Sequence, residues 1–230
     1  MSDTTPTPAQ SGREPAPEPQ QTSVPQQQTT APQAPQEPGA PQAAPRPGSA
    51  HGDSGYTDLL GRRRVAKHDP LIEAIGMLDE ATSALGVAKS AAREARTRRL
   101  IHQAQHDLYE VMAELAFPPG HTQAVRLLPE HVDWLDRCVA KIRPPFDSLR
   151  TFVLPGACPA SAPVDLARAT VRSAERRLAQ LALEGSLPNA HSLAYVNRLS
   201  LLLYYLARAE DVAAGVDFDV AGSPRERPDP

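Results

Sequence analysis

The chain has 230 residues, a formal net charge of −3 and two cysteines. That charge argues against a field that would draw nucleic acid or an anionic membrane surface, and no segment approaches the ~20 apolar residues that span a bilayer. Cys138 and Cys158 are too few and too isolated for a disulfide scaffold or a zinc site, and the N-terminus carries no apolar signal-like run, so a reducing, cytoplasmic setting is expected.

Residues 1–50 hold twelve of the 25 prolines, nine glutamines and no aromatic residue. A segment with so little apolar side chain cannot offset its ordering entropy, so a disordered Pro/Gln-rich tail is expected there. Composition changes near Ser49. Residues 52–67 bring Gly52, Gly55 and Gly61, then Arg62, Arg63, Arg64 and Lys67. No convincing strand alternation is found anywhere.

Five amphipathic segments follow. Residues 71–90 carry Ile72, Ile75, Leu78 and Leu85, and residues 95–117 carry Ile101, Ala104, Leu108, Val111 and Leu115. Residues 129–143 carry Val132, Leu135, Val139 and Ile142, and residues 163–184 carry Val164, Ala167, Val171, Ala174, Leu178 and Leu181. Residues 190–210 carry Leu193, Val196, Leu199, Leu203 and Leu206. Spacings that alternate three and four keep these side chains on one helical stripe. Such stripes must face one another, which predicts an all-α, five-helix bundle. Pro118-Pro119, Pro129, Pro144-Pro145 and Pro163 punctuate the joins. Phe152-Val153-Leu154, stopped by Pro155-Gly156, reads as an extended loop, and the stretch from Val216 as a fraying tail. The expected division is thus a tail at 1–50, a helical-bundle domain at 51–215 and a flexible end at 216–230.

Two stretches could carry chemistry. The glycines, hydroxyls and cations of residues 52–67 could cradle a polyphosphate, although the same composition also suits a flexible basic linker, and no Walker A loop is present. On the fourth helix, Arg168, Arg172, Glu175 and Arg176 stand at i, i+4, i+7 and i+8 on one face. Three guanidiniums there suit a triphosphate, and a row salt-bridged through Glu175 is the structural alternative. Asn197 borders the last apolar stripe, and Asp79-Glu80 lies beside Leu78, where a carboxylate would seek an arginine. His102 and His106 stand at i, i+4 but lack a third metal ligand.

Together these pieces resemble the PduO-type ATP:cob(I)alamin (corrinoid) adenosyltransferases over roughly residues 52–210. The resemblance runs through Gly52-Asp53-Ser54-Gly55-Tyr56-Thr57, Arg64-Val65-Ala66-Lys67 and Leu78-Asp79-Glu80. It continues through residues 104–109 and 113–116, Phe152-Val153-Leu154-Pro155-Gly156, the row Arg168, Arg172, Ala174, Glu175 and Arg176, and Asn197-Arg198-Leu199-Ser200. It implies a five-helix bundle that assembles as a homotrimer with ATP at subunit interfaces. Gly52, Asp53, Gly55, Thr57, Arg64 and Lys67 would then wrap the triphosphate, and Arg168, Arg172 and Arg176 would hold phosphates. Mg²⁺ would arrive on ATP with Glu175 as protein ligand, Asn197 would orient the nucleoside, and Asp79 would pair with a fourth-helix arginine across the interface. Phe152 would enter the corrinoid pocket. Arg172, Asp79 and Phe152 are the residues implied to matter most for transfer of the 5′-deoxyadenosyl group to cobalamin (vitamin B12). A B12-dependent acceptor enzyme is a further implied partner, with no nucleic acid and no membrane.

The sequence also departs from that pattern. His51 replaces a threonine, Ala81-Thr82 replaces Leu-Asn, Ala157-Cys158 replaces the second glycine of a Pro-Gly-Gly turn, Ser173 replaces an arginine and Leu201 an aspartate. Arg168, Arg177 or a basic residue among Arg62–Arg64 could compensate, and Arg177, four residues beyond Ser173, is the nearest of these in sequence. These departures keep open a non-catalytic corrinoid- or nucleotide-binding relative acting as carrier or chaperone, and a plain helical interaction protein is the third reading.

Overall fold

A computed structural model describes residues 52–118, 120–121, 126–142, 152–217 and 219–222. The expected tail at 1–50 and the changed residue His51 lie outside that set, as do Pro119, Pro144 and Pro145. The described elements are a hairpin, β1 (Tyr56–Leu59) and β2 (Arg62–Ala66), and five helices: α1 (Pro70–Ala91), α2 (Ala95–Ala116), α3 (Pro129–Ile142), α4 (Ser161–Leu183) and α5 (Ala190–Ala213).

The five helices agree with the periodicity, with ends moved by up to three residues. Local chemistry sets those ends. Asp69 caps α1 by accepting from the Leu71 amide at 2.8 Å, with Pro70 in the first turn where its missing N–H is not needed. Asn189 caps α5 in the same way through the His191 amide at 2.9 Å. Beyond α4, Gly185 adopts φ +70°, which lets the Ser186 and Leu187 amides donate back to the Leu181 carbonyl at 2.8 and 3.1 Å. Pro163 falls inside the first turn of α4, two residues after its start, where again no intrahelical donor is lost.

Packing runs α2–α1–α4–α5 and closes through α2 and α5, with α3 against α5. The α1 stripe is Leu71, Ala74, Leu78, Ala81, Leu85 and Ala88, and α4 answers with Val164, Ala167, Val171, Ala174, Leu178 and Leu181. Both stripes step 3-4-3-4-3, and their alternating alanines let the two helices approach closely. Ile72 and Ile75, expected in the core, are only half-buried. Leu71 and Ala74 hold the buried positions there instead, so the expected stripe is displaced by one residue at the start of α1, while Leu78 and Leu85 are buried as expected. Helix α5 is buried over more of its surface than one stripe, including Tyr195, Leu202 and Tyr205, because it lies between neighbours.

Two buried polar joints bridge α2 and α5. The Tyr195 hydroxyl donates to Asp107 Oδ2 at 2.6 Å, and Gln103 donates to the other oxygen at 2.8 Å. Burial, and then Asp107, pushes the Tyr195 phenol well above its ordinary value. At the other joint, Asn189 donates to Glu114 Oε2 at 3.0 Å and to the Leu127 carbonyl at 2.8 Å, and Ser192 Oγ donates to the same carboxylate at 3.3 Å. Each satisfies polar atoms that would otherwise be stranded in the core.

Two expectations change. The chain does form strands: β1 and β2 pair antiparallel, with Thr57 opposite Val65 and Leu59 opposite Arg62. A four- and five-residue pair whose second strand begins Arg-Arg-Arg shows no apolar alternation, which is why periodicity misses it. The stretch assigned to a fraying end is also partly tied down. Val153 pairs with Val220, the Leu154 amide donates to the Asp219 carbonyl at 2.8 Å, and the Ala221 amide donates to the Phe152 carbonyl at 2.7 Å.

Candidate functional site

The hairpin gathers the first group of candidate residues. A turn closes from the Gly55 amide to the Gly52 carbonyl at 3.3 Å, and the Lys67 amide donates to the Gly55 carbonyl at 2.9 Å. The Lys67 ammonium folds over Gly52 so closely that a Cβ there would sit 2.9 Å from Nζ. A side chain at 52 would displace only the flexible end of Lys67, whereas Gly55 is favoured by its φ of +81°. Asp53 lies in the same turn and Thr57 in the paired strand. Arg64 holds a left-handed φ of 58°, uncommon for a side-chain-bearing residue. Two contacts support it: its amide donates to Asp58 Oδ1 at 2.8 Å, and its guanidinium lies 4.9 Å from the Tyr56 ring centre. At the hairpin tip, a Cβ on Gly61 would stand 3.1 Å from the Pro118 ring, so the tip rests against the end of α2.

The second group lies on α4. Arg172 Nη1 is 3.7 Å from Glu175 Oε2, and the Arg172 side chain remains about half exposed. Arg176 donates to the Arg172 carbonyl and to Ser173 Oγ, both at 3.0 Å. The salt-bridged alternative is thus seen at Arg172, which pairs with Glu175, while Arg172 and Arg176 both stay at the surface. Ser173 Oγ turns back to the Ala169 carbonyl at 3.3 Å. Arg177, the candidate to compensate for Ser173, has partners of its own. Its guanidinium is engaged by Gln180 at 2.7 Å and by Glu73 of α1 at 3.5 Å.

Other candidates stand apart. Asp79 and Asn197 are exposed, so neither has the buried environment that their positions beside apolar stripes suggested. The Phe152 ring is 86% exposed, although its backbone is held by the bridge to residues 219–221. Cys158, at a changed position, is buried, with Sγ donating to the Glu210 carbonyl at 3.8 Å. Thr82, another changed position, has a buried hydroxyl without a hydrogen bond among the described residues.

Sequence reasoning missed a set of buried charges where the start of α4 meets the end of α5. Asp165, Arg208, Glu210 and Asp211 are each at most 3% exposed. Arg208 donates from Nη2 to Asp165 Oδ2 and from Nε to Asp211 Oδ2, both at 2.8 Å. Asp165 Oδ1 also lies 3.7 Å from Arg168 Nε. Glu210 accepts from the Arg93 and Glu94 amides at 2.9 and 3.1 Å, placing a carboxylate at the positive start of α2. Charged residues in the last turns of a helix ordinarily read as a solvated end, so nothing in the pattern marked them.

The sequence matches the family described as cobalamin adenosyltransferase over residues 49–210. It is 40% identical over 167 residues to corrinoid adenosyltransferase PduO of Salmonella typhimurium, covering 70% of this chain and 48% of that protein. The chain therefore spans about half the length of the PduO proteins of Salmonella typhimurium and Citrobacter freundii that it matches. The corrinoid adenosyltransferase of Mycobacterium leprae is 35% identical over 176 residues, covering 72% of this chain and 91% of that protein. Two solved structures share the fold. Both are variants of a PduO-type ATP:corrinoid adenosyltransferase from Lactobacillus reuteri complexed with cobalamin and ATP. They superpose with TM-scores of 0.69 and 0.68 at 24% and 25% identity, covering 75% of this chain and 97% and 95% of theirs.

Proposed function

Because the chain belongs to the cobalamin adenosyltransferase family, we propose that it transfers the 5′-deoxyadenosyl group of ATP to the cobalt of a corrinoid, releasing triphosphate. The observation that carries this reading is the surface row on α4: Arg172 and Arg176 stand at the surface one helical turn apart beside Glu175, two planar cations suited to phosphate oxygens. The turn that folds Lys67 over Gly52 supports it as a second anion-binding group.

The reaction is a displacement. The electron pair of Co(I) forms a bond to the 5′ carbon of ATP, the C5′–O bond breaks, and triphosphate leaves with the pair of the broken bond on its oxygen. The chain supplies positioning and charge neutralisation. Arg168, Arg172, Arg176 and Lys67 are assigned to the phosphates, with Gly52, Asp53, Gly55, Thr57 and Arg64 around them. Asn197 is assigned to the nucleoside. Among the described residues no three or more His, Cys, Asp or Glu side chains gather as a metal site. Mg²⁺ is accordingly assigned to the ATP phosphates with at most one protein ligand, Glu175, a mode this cation favours. The exposed Phe152 ring would cover the corrinoid and keep water from cobalt.

Asp79 lies exposed on α1 and the arginine row exposed on α4, so a neighbouring subunit could bring them together. That is the basis for proposing a homotrimer with sites between subunits. No helix among the described residues is long and apolar enough to cross a membrane. Cytoplasmic placement is proposed on the free thiols Cys138 and Cys158, and a B12-dependent acceptor enzyme is the proposed destination of the product.

The deciding experiment mixes the purified protein with ATP, Mg²⁺ and chemically reduced cobalamin. Conversion of the cob(I)alamin absorption spectrum to that of adenosylcobalamin, with stoichiometric triphosphate, is expected. Ser173 adds no cation to the row, which favours the carrier reading as the alternative. Corrinoid binding without spectral conversion at any ATP concentration would replace the enzyme with that carrier. Light scattering showing only monomer at micromolar protein would remove the intersubunit site.

A further inference from the structure

Three buried charges, Asp165 at the start of α4 and Arg208 and Asp211 near the end of α5, have no part in the reaction outlined above. One guanidinium thus serves two carboxylates, while the neighbouring Glu210 is held by the Arg93 and Glu94 amides instead. A second cation near Asp165 is Arg168, one helical turn beyond it, whose side chain is 30% exposed. The Asp165 carboxylate is thus divided. One oxygen is held by Arg208 at 2.8 Å, and the other faces Arg168 Nε at 3.7 Å. Arg168 Nε is itself buried and has no hydrogen bond among the described residues.

A buried ion set of this kind contributes little net stability, because desolvation offsets most of the attraction. Its effect on geometry is larger. Arg208 reaches from α5 with its two bonding nitrogens fixed on two carboxylates, so Asp165 cannot swing away. A guanidinium is rigid and planar. With the Arg168 Nε drawn inward and the side chain 30% exposed, its terminal fork is free to reach the face of α4 that it shares, at i, i+4 and i+8, with Arg172 and Arg176. We infer that Asp165, held in place by Arg208, is a positioning residue that presents the Arg168 fork to the ATP phosphates. The inference rests on the proposed adenosyltransferase reading and adds a role to residues outside its binding row.

The test is a double-mutant cycle on the full chain with MgATP binding measured by calorimetry. Asp165→Asn keeps the shape and leaves Arg208 neutralised by Asp211. It should weaken MgATP binding about tenfold, the size expected for coupled neighbours. In an Arg168→Met background the same substitution should cause no further loss of binding, while its effect on melting temperature persists. A merely structural role for Asp165 would weaken binding equally in both backgrounds, and that additivity would overturn the proposal. Where a variant is unfolded or binds too little to measure, the wild-type protein decides. Its Arg168 Nε–H should give a resolved, slowly exchanging ¹⁵N NMR signal that moves on adding MgATP. A signal averaged with the exposed arginines would refute the proposal. Wild-type protein that binds no MgATP would bring down the adenosyltransferase reading and this role with it, whereas binding with additive losses brings down only the role.

Discussion

Replacing Phe152 by alanine separates a ligand-covering ring from a core residue. The ring is 86% exposed, so its removal takes almost nothing out of the folded interior. The backbone at 152 is held by the Ala221 amide, which the substitution leaves in place. Stability should therefore change by no more than about 0.5 kcal/mol, as for other surface sites. If a corrinoid buries the ring during turnover, the lost transfer free energy is ~1.5–3 kcal/mol, which corresponds to a loss of about 10- to 150-fold in corrinoid-dependent kcat/KM. The ring has no group for a phosphate, so the KM for ATP should stay as in wild type. Initial rates with cob(I)alamin and MgATP varied independently measure both quantities, and a thermal melt measures the first. Equal losses toward ATP and corrinoid, or a melting temperature lowered by several degrees, would refute the reasoning and place Phe152 in a packing contact.

Ser173→Arg should tighten MgATP binding by about 10- to 150-fold, the worth of one charge-assisted hydrogen bond of ~1.5–3 kcal/mol; an unchanged calorimetric Kd would show that position 173 lies outside the phosphate site. Tyr195→Phe should cost ~1.5–3 kcal/mol in urea unfolding, because Asp107 loses a buried donor at 2.6 Å. The same phenol sets an alkaline limit. Its folded pKa lies above the ordinary 10.0, so between those values the folded state binds the extra proton, and stability present below pH 10 falls as pH rises. That fall should be shallower in Tyr195→Phe by up to about 1.4 kcal/mol per pH unit, and parallel alkaline curves for the two proteins would contradict it. Glu210→Gln should lower stability by ~1.5–3 kcal/mol through the Arg93 and Glu94 amides while leaving kcat unchanged well below the melting temperature; a selective loss of activity would assign Glu210 to the site instead.

The number of helices, their order and the buried stripes of α2 and α4 follow from the 3-4 spacing alone, because a helix that hides one face must repeat its apolar residues at that period. Order along the chain also brought together the pieces from Gly52 to Ser200 that carry the family resemblance. What spacing cannot convey is which residues of distant segments meet. Ala74, Ala81 and Ala88 became core only because α4 lies close against that side of α1, and the more conspicuous Ile72 and Ile75 were left at its edge. The hairpin escaped because its pairing is made by backbone groups, whatever the side chains of Arg62–Arg64 suggest. Arg177 looked available for the phosphate row until α1 supplied Glu73. Asp165 and Arg208 lie 43 residues apart in sequence, and their charges are buried together at 2.8 Å. Periodicity records how each helix divides itself between core and solvent, but the energy of a buried charge depends on its partner. Only the tertiary structure brings that partner within reach.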